Sequence, residues 1–193
     1  RTILKFIVGG NIEGQYHEVI YRLMTTDGLT QVHNKRYFDE MLERELSRAQ
    51  RYGRTFSLIM FDIDHFKKIN DSAGHQGGDE VLQQIALLIK AELRLSDALG
   101  RYGGEEFVVL LIDAGLPPAL VVAERIRASI AGQPIALSDG TALAVTVSIG
   151  VAELSSADRV DEIDKTAQQL VSRADEALYR AKENGRNQVG GAP

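Results

Sequence analysis

Two glycines set between an acidic pair and a short apolar run do most to restrict how this chain can fold. The stretch is Arg101-Tyr102-Gly103-Gly104-Glu105-Glu106-Phe107, running into Val108-Val109-Leu110-Leu111. The apolar tail has the length and β-branched character of a buried strand, and Gly103-Gly104 is a turn signal. A hairpin tip is therefore expected, with two carboxylates at the start of its returning strand. Without Cβ atoms the bend lets a large ligand approach the backbone, and the adjoining glutamates offer hard oxygen donors to a cation such as Mg²⁺. A site for a metal-bound phosphate is one reading; an acidic surface hairpin is the other.

A second stretch bears on that choice. Phe61-Asp62-Ile63-Asp64-His65-Phe66-Lys67-Lys68-Ile69-Asn70-Asp71 follows another apolar run, Phe56-Ser57-Leu58-Ile59-Met60. An acid at this strand end and an acid at a neighbouring hairpin could share one ion. Backbone N–H groups around Phe66 and Lys67 are placed to cradle phosphate, and Lys67 adds a cation. Asp64 reads as the acid of a strand-end turn or an N-cap. An EF-hand is excluded because the next alternate position is Phe66, and no Gly-x-x-x-x-Gly-Lys-Ser/Thr loop occurs. Lys182 and Arg186, four apart, share a face if their helix reaches that far; basic residues at a helix C-terminus also suit the dipole as plain solvated surface.

The remaining elements follow from periodicity. Asn34 suits the N-cap of a helix presenting Phe38, Met41, Leu42, Leu46 and Ala49. Residues 55–61 read as a central strand, 78–93 as a helix, and 97–102 with 105–112 as the hairpin. A helix over 117–131 ends at Gly132; a turn at Asp139-Gly140 leads into a strand over 143–151. A long helix over 161–184 is stopped by Gly185, and 187–189 adds an edge strand. Near the start, 2–8 reads as a short strand and 18–24 as a short helix. Residues 1–24 are thus expected to be the tail of a preceding domain and a linker helix, and 25–193 the main domain. Because the chain opens on Arg1, a longer parent protein is expected. Interleaved helices and hairpins give an α+β class, helices around a mainly antiparallel sheet.

Charge and composition narrow the partners. With 27 acidic against 22 basic residues the net charge is −5, which disfavours a nucleic-acid partner. The chain has no cysteine, which fits a reducing compartment, and the expected location is cytoplasmic. No apolar run approaches a membrane span, so no membrane contact is expected of this segment.

Taken together, the two acidic stretches, with Gly74-His75-Gln76-Gly77-Gly78-Asp79 between them, resemble the signatures of the GGDEF-domain diguanylate cyclases in their GGEEF form. The likeness extends from about Thr26 to Val189. Residues 26–38 resemble the family's opening motif, departing from it at Gln31, Val32 and Lys35, and the family places this segment near the base pocket, where Asp27 and Asn34 would help shape it. The resemblance implies a palm-like sheet of nucleotidyl cyclase type and condensation of two GTP into cyclic di-GMP. It implies Mg²⁺, with Mn²⁺ as the alternative, held by Asp62, the Ile63 carbonyl and Glu105, with Glu106 as a secondary ligand. Glu105 would also help deprotonate the attacking 3′-hydroxyl. Phe66, Lys67, Lys182 and Arg186 would take the triphosphate at the Gly103-Gly104 bend, and Asn70 and Asp79 would read guanine. A carboxylate accepts from guanine N1–H and its exocyclic amine, whereas adenine N1 is an acceptor. Arg94 and Asp97 match the family's inhibitory product site, with Arg125 as a further contributor. A homodimer is required, since each 3′-hydroxyl must attack the other nucleotide. An N-terminal sensory domain is expected upstream. The alternatives are a non-catalytic cyclic di-GMP receptor and a structural dimerisation module.

Overall fold

The computed structural model describes residues 12–154 and 162–192, so the strand expected at 2–8 lies outside the described residues. Its centre is a six-stranded sheet in the order β1-β3-β4-β2-β7-β8. The strands are β1 (His33–Asn34), β2 (Phe56–Ile63), β3 (Ala98–Gly103), β4 (Glu106–Ile112), β7 (Val147–Leu154) and β8 (Val189–Ala192). The four inner strands pair antiparallel, while the edge strands β1 and β8 pair parallel with β3 and β7. The sheet is therefore mixed and mainly antiparallel, as its alternating apolar runs require.

Both faces of β2 are buried, which explains its unbroken apolar run. Ile59, Phe61 and Ile63 pack with Phe107, Val109 and Ile149 beneath helices α3 (Phe66–Ala91) and α4 (Leu116–Ala131). Phe56, Leu58 and Met60 pack with Val108 and Leu110 beneath α2 (Lys35–Tyr52) and α5 (Ile163–Glu183). Burying a leucine or phenylalanine from such a run contributes about 1.5–3 kcal/mol. Asn34 caps α2 as expected, its Oδ1 accepting from the Tyr37 amide at 2.9 Å. Helix α1 (Ile12–Thr25) is longer than the segment expected at 18–24, and no helix among the described residues is long and apolar enough to cross a membrane.

The edge strand expected at 187–189 lies at Val189–Ala192, and two further elements differ from expectation. The strand expected at 143–151 is displaced: Ala142–Leu143 (β6) pairs with Ile135–Ala136 (β5) in a separate ribbon, and β7 begins only at Val147. The tight Asp139-Gly140 turn draws residue 143 back on itself; Gly140 has φ 86° and its amide bonds the Leu137 carbonyl. Helix α3 begins twelve residues before the expected start at Gly78 and is kinked at Gly74, where φ is 72° and ψ 171°. The glycines at 74, 77 and 78 resemble loop chemistry in sequence but lie inside this bent helix.

Candidate functional site

The site gathers where β2 ends and the hairpin turns. β3 closes at Gly103, Gly104-Glu105 form the bend, and β4 opens with Glu106 opposite Gly103. Gly104 has φ 27°, a left-handed value that glycine adopts without penalty. Only Glu106 begins the returning strand; Glu105, expected there too, stands on the bend, because a register slip between Arg101 and Gly103 shortens the loop. Arg101 holds that bend. Its Nε and Nη2 donate to the Gly104 carbonyl at 2.9 and 2.7 Å, and its Nη1 donates to Asp27 Oδ1 at 3.1 Å.

Asp27 therefore supports the hairpin. Its Oδ1 also accepts from the amide and hydroxyl of Thr30. Burial pushes the Asp27 carboxyl upward, but the Thr30 bonds and the Arg101 guanidinium outweigh it and leave the group below its usual range. Asn34 likewise ties α2 to the Met24 carbonyl instead of shaping a pocket. Gln31, standing where the family motif has glycine, takes φ 58° and donates from Nε2 to the Gly28 carbonyl at 2.8 Å. For a non-glycine residue such a backbone costs about 1–2 kcal/mol.

Asp62 and Glu106 are direct cross-strand partners, so both carboxylates leave the same face of the sheet. Burial raises the Asp62 carboxyl, and Glu105 and Asp64 raise it further against the pull of Lys182. Glu106 is raised by burial and then by Asp62, with smaller contributions from Asp175 and Glu105. Each acid thus feels the others, and Lys182 Nζ lies 2.8 Å from Asp62 Oδ2. Ile63 ends β2 and pairs only with Val147, since β4 stops opposite Asp62. Among the described residues no three acids or histidines are drawn into one coordination shell. Lys182 engages Asp62, and Glu105 stands on the bend next to Glu106. The donor chemistry nevertheless fits a hard divalent cation: half-buried carboxylates whose mutual repulsion raises them are stabilised by one.

Helix α3 starts at Phe66, just after β2 ends at Ile63. His65 is its N-cap with φ 57° and no side-chain cap bond, and the amides of Lys68 and Ile69 close on the His65 carbonyl. The amides of Phe66 and Lys67 have no intrahelical partner, the usual condition of an anion-binding helix start. Lys67 is exposed beside them. At the other end of the site, α5 stops at Glu183 and the chain turns through Gly185, Arg186 and Asn187, all with positive φ. Lys182 and Arg186 therefore do not share a helical face as the spacing suggested; Arg186 is presented by this turn, its amide bonded to the Ala181 carbonyl.

Asp64 is neither a helix cap nor part of the acid group's exposed rim. It is 5% exposed and accepts three bonds, from Thr146 Oγ1 and Ser148 Oγ at 2.7 Å each and from the Asn187 amide at 3.0 Å. It joins the end of β2 to β7 and to the turn that carries Arg186. The sequence holds no local signal for this, because the partners lie 82 to 123 positions away.

Asn70 lies across the Gly74 kink from Gly78, the residue before Asp79. A Cβ on Gly78 would land on Asn70 Oδ1, so the Asn70 amide lies over Gly78, next to Asp79. The residues expected at a product site also converge. Asp97 accepts from the Arg94 amide at 2.9 Å, and Arg94, Asp97 and Arg125 line one cavity of about 320 Å³ with Asp113. Arg125 is anchored there by Glu92 at 3.0 Å.

The family model described as diguanylate cyclase, GGDEF domain, matches residues 24–188. Response regulator PleD of Caulobacter vibrioides is 46% identical over 170 residues, which make up 88% of this chain and 36% of PleD. Diguanylate cyclase A of Treponema denticola is 42% identical over 174 residues, or 88% of this chain and 45% of the relative. The chain thus spans less than half the length of these two relatives. The coiled coil and GGDEF domain of DgcB from Caulobacter crescentus, solved in complex with c-di-GMP, superposes with a TM-score of 0.84 at 34% identity. The match covers 93% of this chain and 92% of that one.

Proposed function

The chain belongs to the GGDEF-domain family of diguanylate cyclases, and on that premise we propose that it condenses two GTP into cyclic di-GMP with release of two pyrophosphates. The observation that carries the reading is the convergence at one end of the sheet. Asp62 and Glu106 pair across β2 and β4, the Glu105 bend adjoins them, Lys182 bridges to Asp62, and α3 starts at Phe66 just after β2 ends.

Each residue then has a role. Asp62, Glu105 and the Ile63 carbonyl would hold Mg²⁺, or Mn²⁺, with Glu106 in support. When bound, that cation neutralises charge on the phosphates during in-line displacement. The Phe66 and Lys67 amides, Lys67, Lys182 and Arg186 bind and orient the triphosphate where Gly103-Gly104 admits it. Asn70 and Asp79 read guanine. Glu105 takes the proton of the 3′-hydroxyl as its oxygen attacks the α-phosphorus of the other GTP; the bond to the pyrophosphate oxygen breaks, and pyrophosphate leaves. The same exchange in the opposite direction closes the ring.

One site presents one nucleotide, so the reaction runs between two copies of the chain. Helix α1 supports that pairing. Tyr16, Val19 and Leu23 are more than half exposed and recur at i, i+3 and i+7, the spacing of a helix–helix seam. In this reading residues 1–24 connect to an upstream sensory domain, and the enzyme works in the cytoplasm. Incubation with GTP and Mg²⁺ followed by product separation tests turnover directly. Cyclic di-GMP binding without turnover would instead make the domain a receptor.

Two further outcomes follow. Gly78→Ala should raise the KM for GTP about tenfold with little change in melting temperature, because the new methyl displaces Asn70 from the base pocket; an unchanged KM would detach Asn70 from guanine. Arg94→Ala should abolish inhibition by cyclic di-GMP while leaving the initial rate intact. An unaltered inhibition curve would remove the role of the cavity shared with Asp97 and Arg125.

A further inference from the structure

Between α2 and α5 lies an open trough of about 670 Å³ that the proposed reaction does not use, and it touches the acid group only at Glu106. The apolar surface it exposes comes from Ala167 and Val171, both half-buried, over Leu42 and Met60 packed at its base. Its walls are acidic. Asp39 and Glu43 stand one turn apart on α2, Asp164 and Asp175 stand three turns apart on α5, and Lys35 pairs with Asp39 alone among the four.

These acids are strung along two helices, not gathered around a point. The eleven positions from Asp164 to Asp175 spread the negative charge over about 16 Å of helix. A matching ligand must distribute its positive charge over a similar length and also present apolar surface to the floor. One end of the trough already holds an ammonium in this manner: Lys35 Nζ sits 3.2 Å from the Tyr102 ring centroid and 3.8 Å from Asp39. Phosphate-bearing partners, whether nucleic acid or an anionic membrane, have the wrong sign. A furrow between two packed helices accepts a third helix along its length.

We propose that the α2–α5 trough docks a basic amphipathic helix of a partner protein, about three turns long, with an apolar stripe on Ala167 and Val171 and flanking Lys or Arg against the acidic walls. Because the trough ends on Tyr102 and Glu106, its occupant abuts the hairpin that carries Glu105.

The test uses the full chain and a fluorescent synthetic peptide of about four helical turns with a leucine stripe flanked by lysines. Fluorescence anisotropy should show binding that weakens with salt and falls at least about tenfold in Glu43→Lys/Asp164→Lys, whose sites are exposed on their helices. Should that pair melt early, Gln168→Lys, equally exposed on α5, carries the same expectation. Three results would overturn the proposal. They are undiminished binding by the charge-reversed chains, equal binding of a scrambled peptide of the same composition, or full displacement by spermine at matched charge. The last two would point to plain polycation attraction or to a small polyamine site. Binding is read without turnover, so a chain that docks the peptide but forms no cyclic di-GMP keeps this inference and loses the cyclase reading.

Discussion

Glu105→Gln is expected to lower the rate of cyclic di-GMP formation about 10²- to 10³-fold while GTP still binds. The substitution preserves volume at the bend, where nothing is packed against Gly104 and Arg101 continues to clamp its carbonyl. What changes is charge. The amide is a poorer donor to a divalent cation than the carboxylate and cannot accept the proton of the attacking hydroxyl. Ground-state binding is spared because the groups assigned to the triphosphate and the base, Lys182, Arg186, Asn70 and Asp79, stand on α3, α5 and the turn after α5. Removing the Glu105 charge also relieves one source of repulsion on Asp62 and Glu106, so the fold should not weaken. The check is kcat at saturating GTP beside calorimetric titration with GTP. A variant retaining turnover within tenfold of the parent would take the chemistry away from this residue.

Most of the fold could be read from periodicity because each inner strand and each long helix buries a continuous apolar set. The α2 face through Phe38, Leu42, Leu46 and Ala49 is buried as its spacing indicates, with Met41 at its edge. Reading failed where glycine had two meanings. Gly74 kinks a helix that continues through Gly77 and Gly78, so turn chemistry concealed helical residues. The carboxylates were legible because hard oxygen ligands beside a glycine bend are a local pattern. The groups that fix them in space were not. Arg101 works through a carbonyl and an aspartate 74 positions away, and no residue-type pattern links Asp27 to the hairpin before the chain folds. Lys182 was assigned to phosphate from its motif, and in the structure it pairs with Asp62. Under the proposed function a triphosphate with its cation would offer Lys182 and Asp62 a partner each, exchanging one internal pair for two intermolecular ones.

Asp64→Ala is expected to lower the unfolding free energy by about 3 kcal/mol, a fall of roughly 6–12 °C in melting temperature for a domain of this size. A buried carboxylate accepting three donors loses all three at once, and what remains is the cost of the donors left behind. The Thr146 and Ser148 hydroxyls can rotate toward other acceptors, but the Asn187 amide is fixed by its backbone. Asn187 has φ 46° and follows Arg186 at 64°, so the Asp64 bond helps hold two unfavourable residues in place. Without it the turn is free to relax, and Arg186 leaves the phosphate site. The variant should therefore also bind GTP more weakly, whereas Thr146→Ala, which removes one donor and keeps the anchor on Asn187, should cost only about 1 kcal/mol and leave GTP affinity intact. Thermal melts paired with GTP titration of the two variants decide the matter. Equal losses of affinity in both, or none in Asp64→Ala, would mean that the turn holds its shape without this carboxylate.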